Sequence, residues 1–198
     1  MLKRNFFDTL SIMKRCNWVH LSNPLSIKYH DEEWGVPVHN DQKLFEFIVL
    51  ESAQAGLSWE TILNRREEYR KAFKNFNPLK VAKMTQDDVE LLLENSGIIR
   101  NRLKIESTIT NAQAFVVIQN EFGSFSTYMW SWVDSTPIQN KQKTTDTIPV
   151  YDAVAQKFSK DMKKRGFRFF GPTICYAYMQ AVGMVNDHTQ ECFRYHKV

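Results

Sequence analysis

The sequence predicts an all-α fold for its 198 residues. Apolar residues recur at helical spacing along most of the chain, and no two segments show the apolar–polar alternation of paired strands. The one long stretch without periodicity, residues 134–149, is polar, contains two prolines and is predicted to be an exposed, mobile loop. A chain of this length suits one compact domain, with or without a small appendage.

Two helices are clear in the first half of the chain. One begins at Asn40 and runs to about Ala55, where Gly56 ends it. It is apolar nearly all round, as a buried helix is. Ser58 can cap a second helix that continues to the turn before Pro78.

The second half is predicted to be helical as well. Thr85 and Asp88 have the spacing of a capping box, which marks a helix start, and Gly97 is a plausible end for that helix. A long helix follows Gly97, and Ser124 opens a short aromatic one. Two more helices are predicted at about residues 152–164 and 172–184.

The composition excludes several classes of protein. No run of about 18 apolar residues occurs, so no transmembrane helix is predicted, and residues 1–7 lack the apolar core and cleavage site of a signal peptide. Three cysteines are too few for a disulfide scaffold and favour a reducing, cytoplasmic location. The net charge of +4 permits a nucleic-acid partner without requiring one.

Two small clusters of metal-ligand residues lie near opposite ends of the chain. Cys16 and His30 are close to the start, and His188 and Cys192 follow at i and i+4 near the end. Two cysteines and two histidines form a tetrahedral zinc set, and residues at i and i+4 share one helix face. The separation of the clusters matches no short zinc-finger spacing, so two buried cysteines with two ordinary polar histidines remain the alternative.

Glu51 is the sharpest single signal in the sequence. On a helical wheel it falls within an apolar arc that includes Leu44, Phe47 and Ile48. A carboxylate in that position must be paired, protonated or functional, although a structural glutamate satisfied by a neighbouring donor is the alternative. Gln54, one turn later, supplies a second polar group near the same face.

Three aromatic residues could line a pocket with Glu51. Tyr29, Trp34 and Trp59 belong to a chain in which aromatic residues make up 13%. Aromatic faces attract cations and stack on bases. Ordinary core packing of the same side chains is the alternative.

Residues 91–105 are predicted to form a helix, a turn at Gly97 and a second helix. Backbone N–H groups at a helix start can bind a phosphate, and Arg100, Arg102 and Lys104 add positive charge there. Arg168 adds another cation in the turn-rich connector 165–172. The pattern indicates non-specific DNA binding, whereas a common glycine stop beside a solvated charged face is the alternative.

Several motifs in order along the chain resemble those of the 3-methyladenine DNA glycosylase I family. The similarity spans residues 15 to 192, nearly the whole chain. The matching runs are C-N-W-V at 16–19, Y-H-D-E-E-W-G-V-P at 29–37, L-E at 50–51, Q-A-G-L-S-W at 54–59, G-I-I-R at 97–100, K-K-R-G-F at 163–167, G-P-T-I-C at 171–175 and V-N-D-H at 185–188.

The resemblance implies a fold and a cofactor. The expected fold is an all-α helix-hairpin-helix DNA glycosylase domain whose N- and C-terminal segments are clasped by a zinc site. Residues 1–14 would be an N-terminal extension and residues 15–198 the single glycosylase domain. One structural Zn²⁺ per chain would be held by Cys16, His30, His188 and Cys192, and with four positions filled the site would be closed to substrate.

The resemblance also implies an activity. The expected protein is a monofunctional enzyme of DNA base-excision repair that uses water to hydrolyse the N-glycosidic bond of N3-methyladenine in alkylated double-stranded DNA, after base flipping. Free 3-methyladenine is the expected product, and we expect a monomer without a membrane partner. A non-catalytic helix-hairpin-helix DNA-binding module is the alternative, and a zinc-clasped structural protein without a DNA role is a third possibility.

The family pattern assigns roles to the pocket candidates. The base-recognition carboxylate falls on Glu51, whether or not it also assists the chemistry. The pocket aromatics fall on Tyr29 and Trp59, with Trp18 and Trp34 as nearby candidates.

Two further positions concern the shape of the pocket and its entrance. Family members can carry a tyrosine at the position of Ser26, so the pocket is expected to be wider or differently closed on that side. Leu57, in the turn between Gly56 and Ser58, is our candidate for the residue that wedges into the vacated base stack.

Overall fold

A computed structural model of the chain describes residues 13–198, which contain ten α-helices, three short 3-10 turns and two two-residue strands. Most of the predicted N-terminal extension, residues 1–12, lies outside the described residues. The helices are α1 (Pro24–Glu32), α2 (Asp41–Gln54), α3 (Trp59–Leu63), α4 (Arg66–Ala72), α5 (Pro78–Val81), α6 (Gln86–Glu94), α7 (Arg102–Phe122), α8 (Phe125–Trp130), α9 (Ala153–Lys164) and α10 (Pro172–Ala181). The strands are β1 (Ile138–Gln139) and β2 (Val185–Asn186), and the 3-10 turns are Lys74–Phe76, Ser131–Val133 and Thr145–Thr147.

Helix α2 lies at the centre of the fold, as its all-round apolar pattern predicts. It packs against α3, α7, α8 and α10, and Leu44, Phe45 and Phe47 are fully buried. The Asn40 side chain caps it by accepting a hydrogen bond from the Lys43 amide at 2.9 Å. Because the helix is enclosed over most of its length, the polar residues Glu46, Glu51 and Ser52 are buried together with the apolar ones.

The first predicted helix after α2 is divided in the structure. The sequence suggests one helix from Ser58 to the turn before Pro78, but the chain forms α3, α4 and a 3-10 turn there. Lys74, Asn75 and Phe76 all have positive φ angles, of 53°, 57° and 55°. Such backbone cannot continue a right-handed helix, so the chain turns sharply before α5.

Helix α1 was not predicted from the sequence. Its buried residues are Ser26, Tyr29 and His30, which have helical spacing but include two polar side chains. Its exposed residue Leu25 is apolar. The apolar pattern therefore does not mark this helix, although Asn23 caps it by accepting a hydrogen bond from the Leu25 amide at 3.0 Å.

Helices α6 and α7 form the predicted pair joined by a glycine-containing turn. The capping box is present, because Thr85 and Asp88 exchange side-chain and backbone hydrogen bonds. The prediction that Gly97 ends this helix is wrong, since α6 ends at Glu94 with Asn95 as its C-cap and Gly97 does not have a positive φ. A Cβ at Gly97 would lie 2.8 Å from Cγ of Glu68, so glycine lets the turn pack closely against α4.

The segment 134–149 is held more firmly than its composition predicts. Strand β1 within it pairs in parallel with β2, with Ile138 opposite Val185, which corrects the expectation of a chain without paired strands. The buried carboxylate of Asp187 accepts hydrogen bonds from Asn140 at 2.8 Å and from Gln142 at 3.1 Å. These contacts fix a loop that has no apolar periodicity of its own.

The two ends of the described chain meet. Lys14 forms an ion pair with Glu191, and the Phe193 amide donates to the Lys14 carbonyl at 3.0 Å. Lys14 was assigned to the N-terminal extension, and here it contacts the C-terminal segment. None of the helices in residues 13–198 is long and apolar enough to cross a membrane.

Candidate active site and metal centre

A cavity of about 480 Å³ opens between α1, the end of α2, the start of α3 and one side of α10. Glu51 and Gln54 of α2 form its floor, and Ala177 and Gln180 of α10 form one wall. Its aromatic lining residues are Trp18, Tyr29, Trp34 and Trp59. The structure thus brings together all six side chains that the sequence predicted for a base pocket.

The four aromatic rings of the pocket contact one another. The ring centroids of Trp18 and Trp34 are 5.0 Å apart in an edge-to-face arrangement, and those of Tyr29 and Trp59 are 5.0 Å apart and tilted. Both separations lie within the range that favours aromatic pairs. The indole N–H groups of Trp18 and Trp59 are buried and have no hydrogen-bond partner in the described protein. Buried donors of this kind mark a place where a polar ligand can bind.

Glu51 is buried in the floor of this pocket, with an exposed fraction of 3%. Its Oε2 atom has no hydrogen-bond partner in the described protein. Burial raises the pKa of its carboxyl from 4.5 to about 8, because a charge in an apolar surrounding loses its hydration. The negative charge of Glu51 is the second cause, after burial, of a raised pKa for the Tyr29 hydroxyl. Burial therefore favours the protonated form of Glu51, and a cation in the pocket would favour its carboxylate form.

Ser26 occupies the side of the pocket where a wider opening was expected. It is buried, lines the cavity, and its hydroxyl accepts a hydrogen bond from the His20 amide at 3.0 Å. The side chains of His20 and Glu60 lie beside it at the rim, 3.9 Å apart. The serine thus anchors the segment before α1 instead of filling the cavity with a ring.

Sequence reasoning missed several residues of the cavity wall. Thr145 and Ile148 come from the loop that β1 and Asp187 hold in place, and Gln180 comes from α10. Gln180 also donates to Asp187 at 2.7 Å. No local pattern in the sequence marks these positions, because they reach the pocket only through contacts between distant segments.

Cys16, His30, His188 and Cys192 converge on one buried point, with their ligand atoms all within 4.8 Å of one another. Cys16 Sγ lies 3.6 Å from His188 Nδ1, and Cys192 Sγ lies 3.4 Å from both His188 Nδ1 and His30 Nε2. A tetrahedral zinc ion with ordinary bond lengths would place sulfur and nitrogen ligands about 3.6 Å apart. The four residues can therefore hold a metal ion without rearrangement.

The two histidines are oriented as metal ligands usually are. His30 Nδ1 is 2.8 Å from a carboxylate oxygen of Asp31, and Asp31 is paired with Arg15 at 2.6 Å. His188 Nε2 is 3.0 Å from the Trp34 carbonyl oxygen. Each ring can donate its outward N–H to an oxygen and keep the other nitrogen free for a metal. A hydrogen bond with Cys16, followed by those with the two histidines, lowers the pKa of the Cys192 thiol well below its usual value.

This four-residue group adjoins the pocket. His30 follows Tyr29 on α1, and Trp34 binds His188 through its carbonyl while its ring lines the cavity. Gly35 has a φ of +79°, and a Cβ there would lie 3.2 Å from the His188 ring. Glycine at this position allows the segment after α1 to lie against the histidine.

The residues predicted to contact DNA have different surroundings. The Arg100 and Arg168 side chains are exposed and make no ion pair or hydrogen bond with the described residues. Arg102 forms a two-bonded ion pair with Glu90, at 2.8 and 2.7 Å. Lys104 is half-buried, and its ammonium donates to two backbone carbonyl oxygens at the end of α2.

Arg168 lies beside a second, more basic groove of about 810 Å³. Its backbone is fixed by the buried Asn111 side chain, which accepts from the Arg168 amide at 2.7 Å and donates to its carbonyl at 3.0 Å. The groove is also lined by Phe169, by the connector that follows and by one side of α9. The α9 lysines that line it are Lys157, Lys160 and Lys163.

The comparisons with known proteins agree along nearly the whole chain. The family model described as methyladenine glycosylase matches residues 18–195. The DNA-3-methyladenine glycosylase 1 of Escherichia coli (strain K12) is 48% identical over 183 residues, which cover 92% of this chain and 97% of the relative.

Solved structures give the same result. The crystal structure of a 3-methyladenine DNA glycosylase I superposes with a TM-score of 0.88 at 49% identity, covering 91% of this chain and 98% of that one. The structure that describes 3-methyladenine recognition by the Staphylococcus aureus 3-methyladenine DNA glycosylase I has a TM-score of 0.88 at 36% identity, covering 91% of this chain and 96% of that one.

Proposed function

Because this chain belongs to the methyladenine glycosylase family, we propose that it excises 3-methyladenine from alkylated DNA in base-excision repair. It is an enzyme that hydrolyses N-glycosidic bonds. One observation carries the assignment of the active site: the buried Glu51, with a carboxylate oxygen that has no partner among residues 13–198, forms the floor of a pocket walled by aromatic rings. A protein that only binds DNA has no use for this costly arrangement.

The pocket suits a cationic purine better than a neutral one. An adenine alkylated at N3 while still attached to deoxyribose carries a positive charge. The faces of Trp18, Tyr29 and Trp59 attract such a charge, and Glu51 can lose its proton and pair with it. Ordinary adenine is neutral, so it would leave Glu51 protonated. It would gain neither the attraction of the aromatic faces nor that of a charged carboxylate. Selectivity then follows from charge as well as from shape.

The same charge makes the chemistry easy. When the bond between the base and C1′ of deoxyribose breaks, the base keeps the electron pair and becomes neutral 3-methyladenine. Water adds to C1′ and gives its proton to the solvent. The described wall of the cavity carries no lysine, in keeping with a monofunctional enzyme that uses water. Glu51 binds and orients the base while the base is still cationic and attached to the sugar.

Glu51 also gives a route for product release. Once the base is neutral, the carboxylate faces no cation in an environment where burial raises its pKa to about 8. At pH 7 it therefore takes up a proton, and the charge attraction that favoured the damaged base is lost. The enzyme returns to its neutral resting state as the product leaves.

We propose that the DNA lies across the pair α6 and α7, which act as a helix-hairpin-helix. Arg100 and Arg168 are the strongest candidates among the predicted phosphate contacts, because their side chains are exposed and form no ion pair with residues 13–198. Gly97 allows the turn to pack closely, and Arg102 would reach a phosphate only by leaving Glu90. The target base must leave the duplex before it can reach a pocket of this depth.

We propose a structural zinc ion at Cys16, His30, His188 and Cys192. The spacing of the sulfur and nitrogen atoms, the burial and the oxygen partners of both histidines support this assignment. A zinc ion with four protein ligands has no open position, so it would hold Tyr29 and Trp34 in place and take no part in hydrolysis. The monomeric state and the cytoplasmic location remain predictions from the sequence.

The test is release of 3-methyladenine from methylated DNA by wild type and by Glu51→Gln, with Glu60→Gln as the matched control from the pocket rim. We expect Glu51→Gln to slow release about 100-fold, because the amide cannot take a negative charge. Glu60→Gln should stay within a few-fold of wild type. Equal rates for wild type and Glu51→Gln would refute the role of Glu51, and no release by wild type would refute the proposed activity.

A further inference from the structure

Lys104 is bound to the end of the helix that carries Glu51. It lies in the first turn of α7, and its Nζ donates to the carbonyl oxygens of Ala53 at 2.8 Å and Ala55 at 2.6 Å. The last carbonyls of a helix have no partner within it, and a cation there is also attracted by the helix dipole. Lys104 therefore supplies from α7 the partners that the end of α2 lacks.

The two carbonyl groups lie where the chain leaves α2 and enters a short turn at the mouth of the pocket. This turn, residues 55–58, joins α2 to α3 and so connects Glu51 to Trp59. Gly56 adopts a φ of +77°, and no atom of the described chain lies within 4 Å of the position that a Cβ would take there. Leu57 is 39% exposed. We refer to residues 55–58 as the pocket turn. It presents an apolar side chain to solvent beside the cavity that receives the base.

Lys104 is equally well fixed to the hairpin. Its own amide donates to the side chain of Asn101 at 3.1 Å, which caps α7 at the end of the turn from α6. One residue thus joins the hairpin, through its backbone, to the pocket turn, through its side chain. Among the described residues, no other lysine side chain donates to two backbone carbonyls at the end of another helix.

We propose that Lys104 is a positioning residue that fixes the pocket turn against the hairpin, so that DNA held by the hairpin meets Leu57 at the right depth. The proposal rests on the glycosylase activity proposed above. It replaces the sequence-based expectation that Lys104 contacts a phosphate, because the ammonium would have to leave both carbonyls to do so. It also gives the exposed Leu57 a fixed distance from the DNA-binding surface.

The consequence is specific to extrusion of the base. Without the ammonium, the two carbonyl oxygens would accept hydrogen bonds from water, and the pocket turn would lose its hydrogen bond to α7. The walls formed by α1 and α10 do not depend on this tie, so free base should still bind. The step that suffers is the one in which Leu57 must occupy the gap in a duplex, and a displacement of about 1 Å can cost up to about 100-fold in rate.

The test compares Lys104→Met with Lys104→Arg and with Lys80→Met. Lys80 is exposed on α5, and its side chain has no partner in the described chain, so its variant controls for the loss of one positive charge. Three quantities are measured: single-turnover release of 3-methyladenine from methylated duplex DNA, the same release from methylated single-stranded DNA, and binding of free 3-methyladenine by tryptophan fluorescence.

We expect Lys104→Met to slow release from duplex DNA by about tenfold or more. The release rate from single-stranded DNA should fall less, and the affinity for free 3-methyladenine should stay within twofold of wild type. Lys104→Arg should recover much of the duplex rate, and Lys80→Met should match wild type. Equal duplex rates for Lys104→Met and Lys80→Met would overturn the proposal. So would a parallel loss of free-base binding, which would make Lys104 a support of the whole pocket. Lack of release by wild type would instead refute the underlying activity.

Discussion

Replacing Glu51 with glutamine should stabilise the free enzyme while it removes activity. Burial raises the pKa of the Glu51 carboxyl from 4.5 to about 8. The folded state holds the proton while the unfolded state releases it, so folding stability is lost as the pH rises from 4.5 to 8. At 1.36 kcal/mol per pKa unit, the loss is about 1 kcal/mol at pH 5 and about 3 kcal/mol at pH 7. Glutamine does not titrate, so the variant does not lose folding stability as the pH rises.

Urea unfolding followed by tryptophan fluorescence measures this effect directly. At pH 7 the variant should be more stable than wild type by about 3 kcal/mol, which for a domain of this size raises the midpoint of thermal unfolding by about 6 to 12 °C. At pH 5 the difference should shrink to about 1 kcal/mol. If the two proteins differ equally at both pH values, or if the variant is less stable at pH 7, then Glu51 is not a neutral buried acid and the account of cation binding is wrong.

Three more predictions follow from the site. In wild type, kcat/KM on methylated DNA should rise about tenfold per pH unit up to pH 8 and then level off, because cation binding must displace the Glu51 proton. Glu51→Gln should remove this rise. A flat wild-type profile would contradict the mechanism. Elemental analysis should find about one zinc per chain. Cys192→Ser should lose the zinc together with fold stability and base affinity, whereas Cys175→Ala, which changes the buried cysteine of α10 outside the four-residue group, should keep the zinc. An intact fold without metal would rule out the clasp. Arg100→Ala should lower the slope of log affinity for DNA against log salt concentration by about one. Arg102→Ala should change this slope less, because Glu90 already neutralises that arginine. Equal slopes for the two variants would argue against a contact between Arg100 and a DNA phosphate.

The sequence predicts those parts of the site in which the type of a residue is unusual for the short segment around it. Glu51 stands out because a carboxylate on an all-apolar helix conflicts with its surroundings, and α2 has the length and burial that this pattern indicates. The two cysteines and two histidines stand out because few other roles combine them. In both cases the chemistry of the side chain is informative before its neighbours are known.

The features that the sequence did not predict depend on distant contacts. Helix α1 buries Ser26 and His30, so it lacks the apolar stripe that would reveal it. Thr145 reaches the cavity because Asp187 and β2 hold its loop, and that loop has no pattern of its own. Lys104 was expected to contact DNA because a cation beside a hairpin usually faces solvent, and its partners lie about 50 residues earlier in the chain. These contacts exist only because α7 packs against α2.

The four residues of the possible metal site are synthesised at widely different times. Cys16 and His30 leave the ribosome early, whereas Cys192 follows at a synthesis rate of about 5–20 residues per second, which is roughly 10 to 35 seconds later. Until then the carbonyl of Trp34 has no histidine to bind, and one wall of the pocket has no fixed support. If the proposed zinc ion binds there, its insertion would be a late step of biosynthesis, because the site is incomplete until His188 and Cys192 have been synthesised.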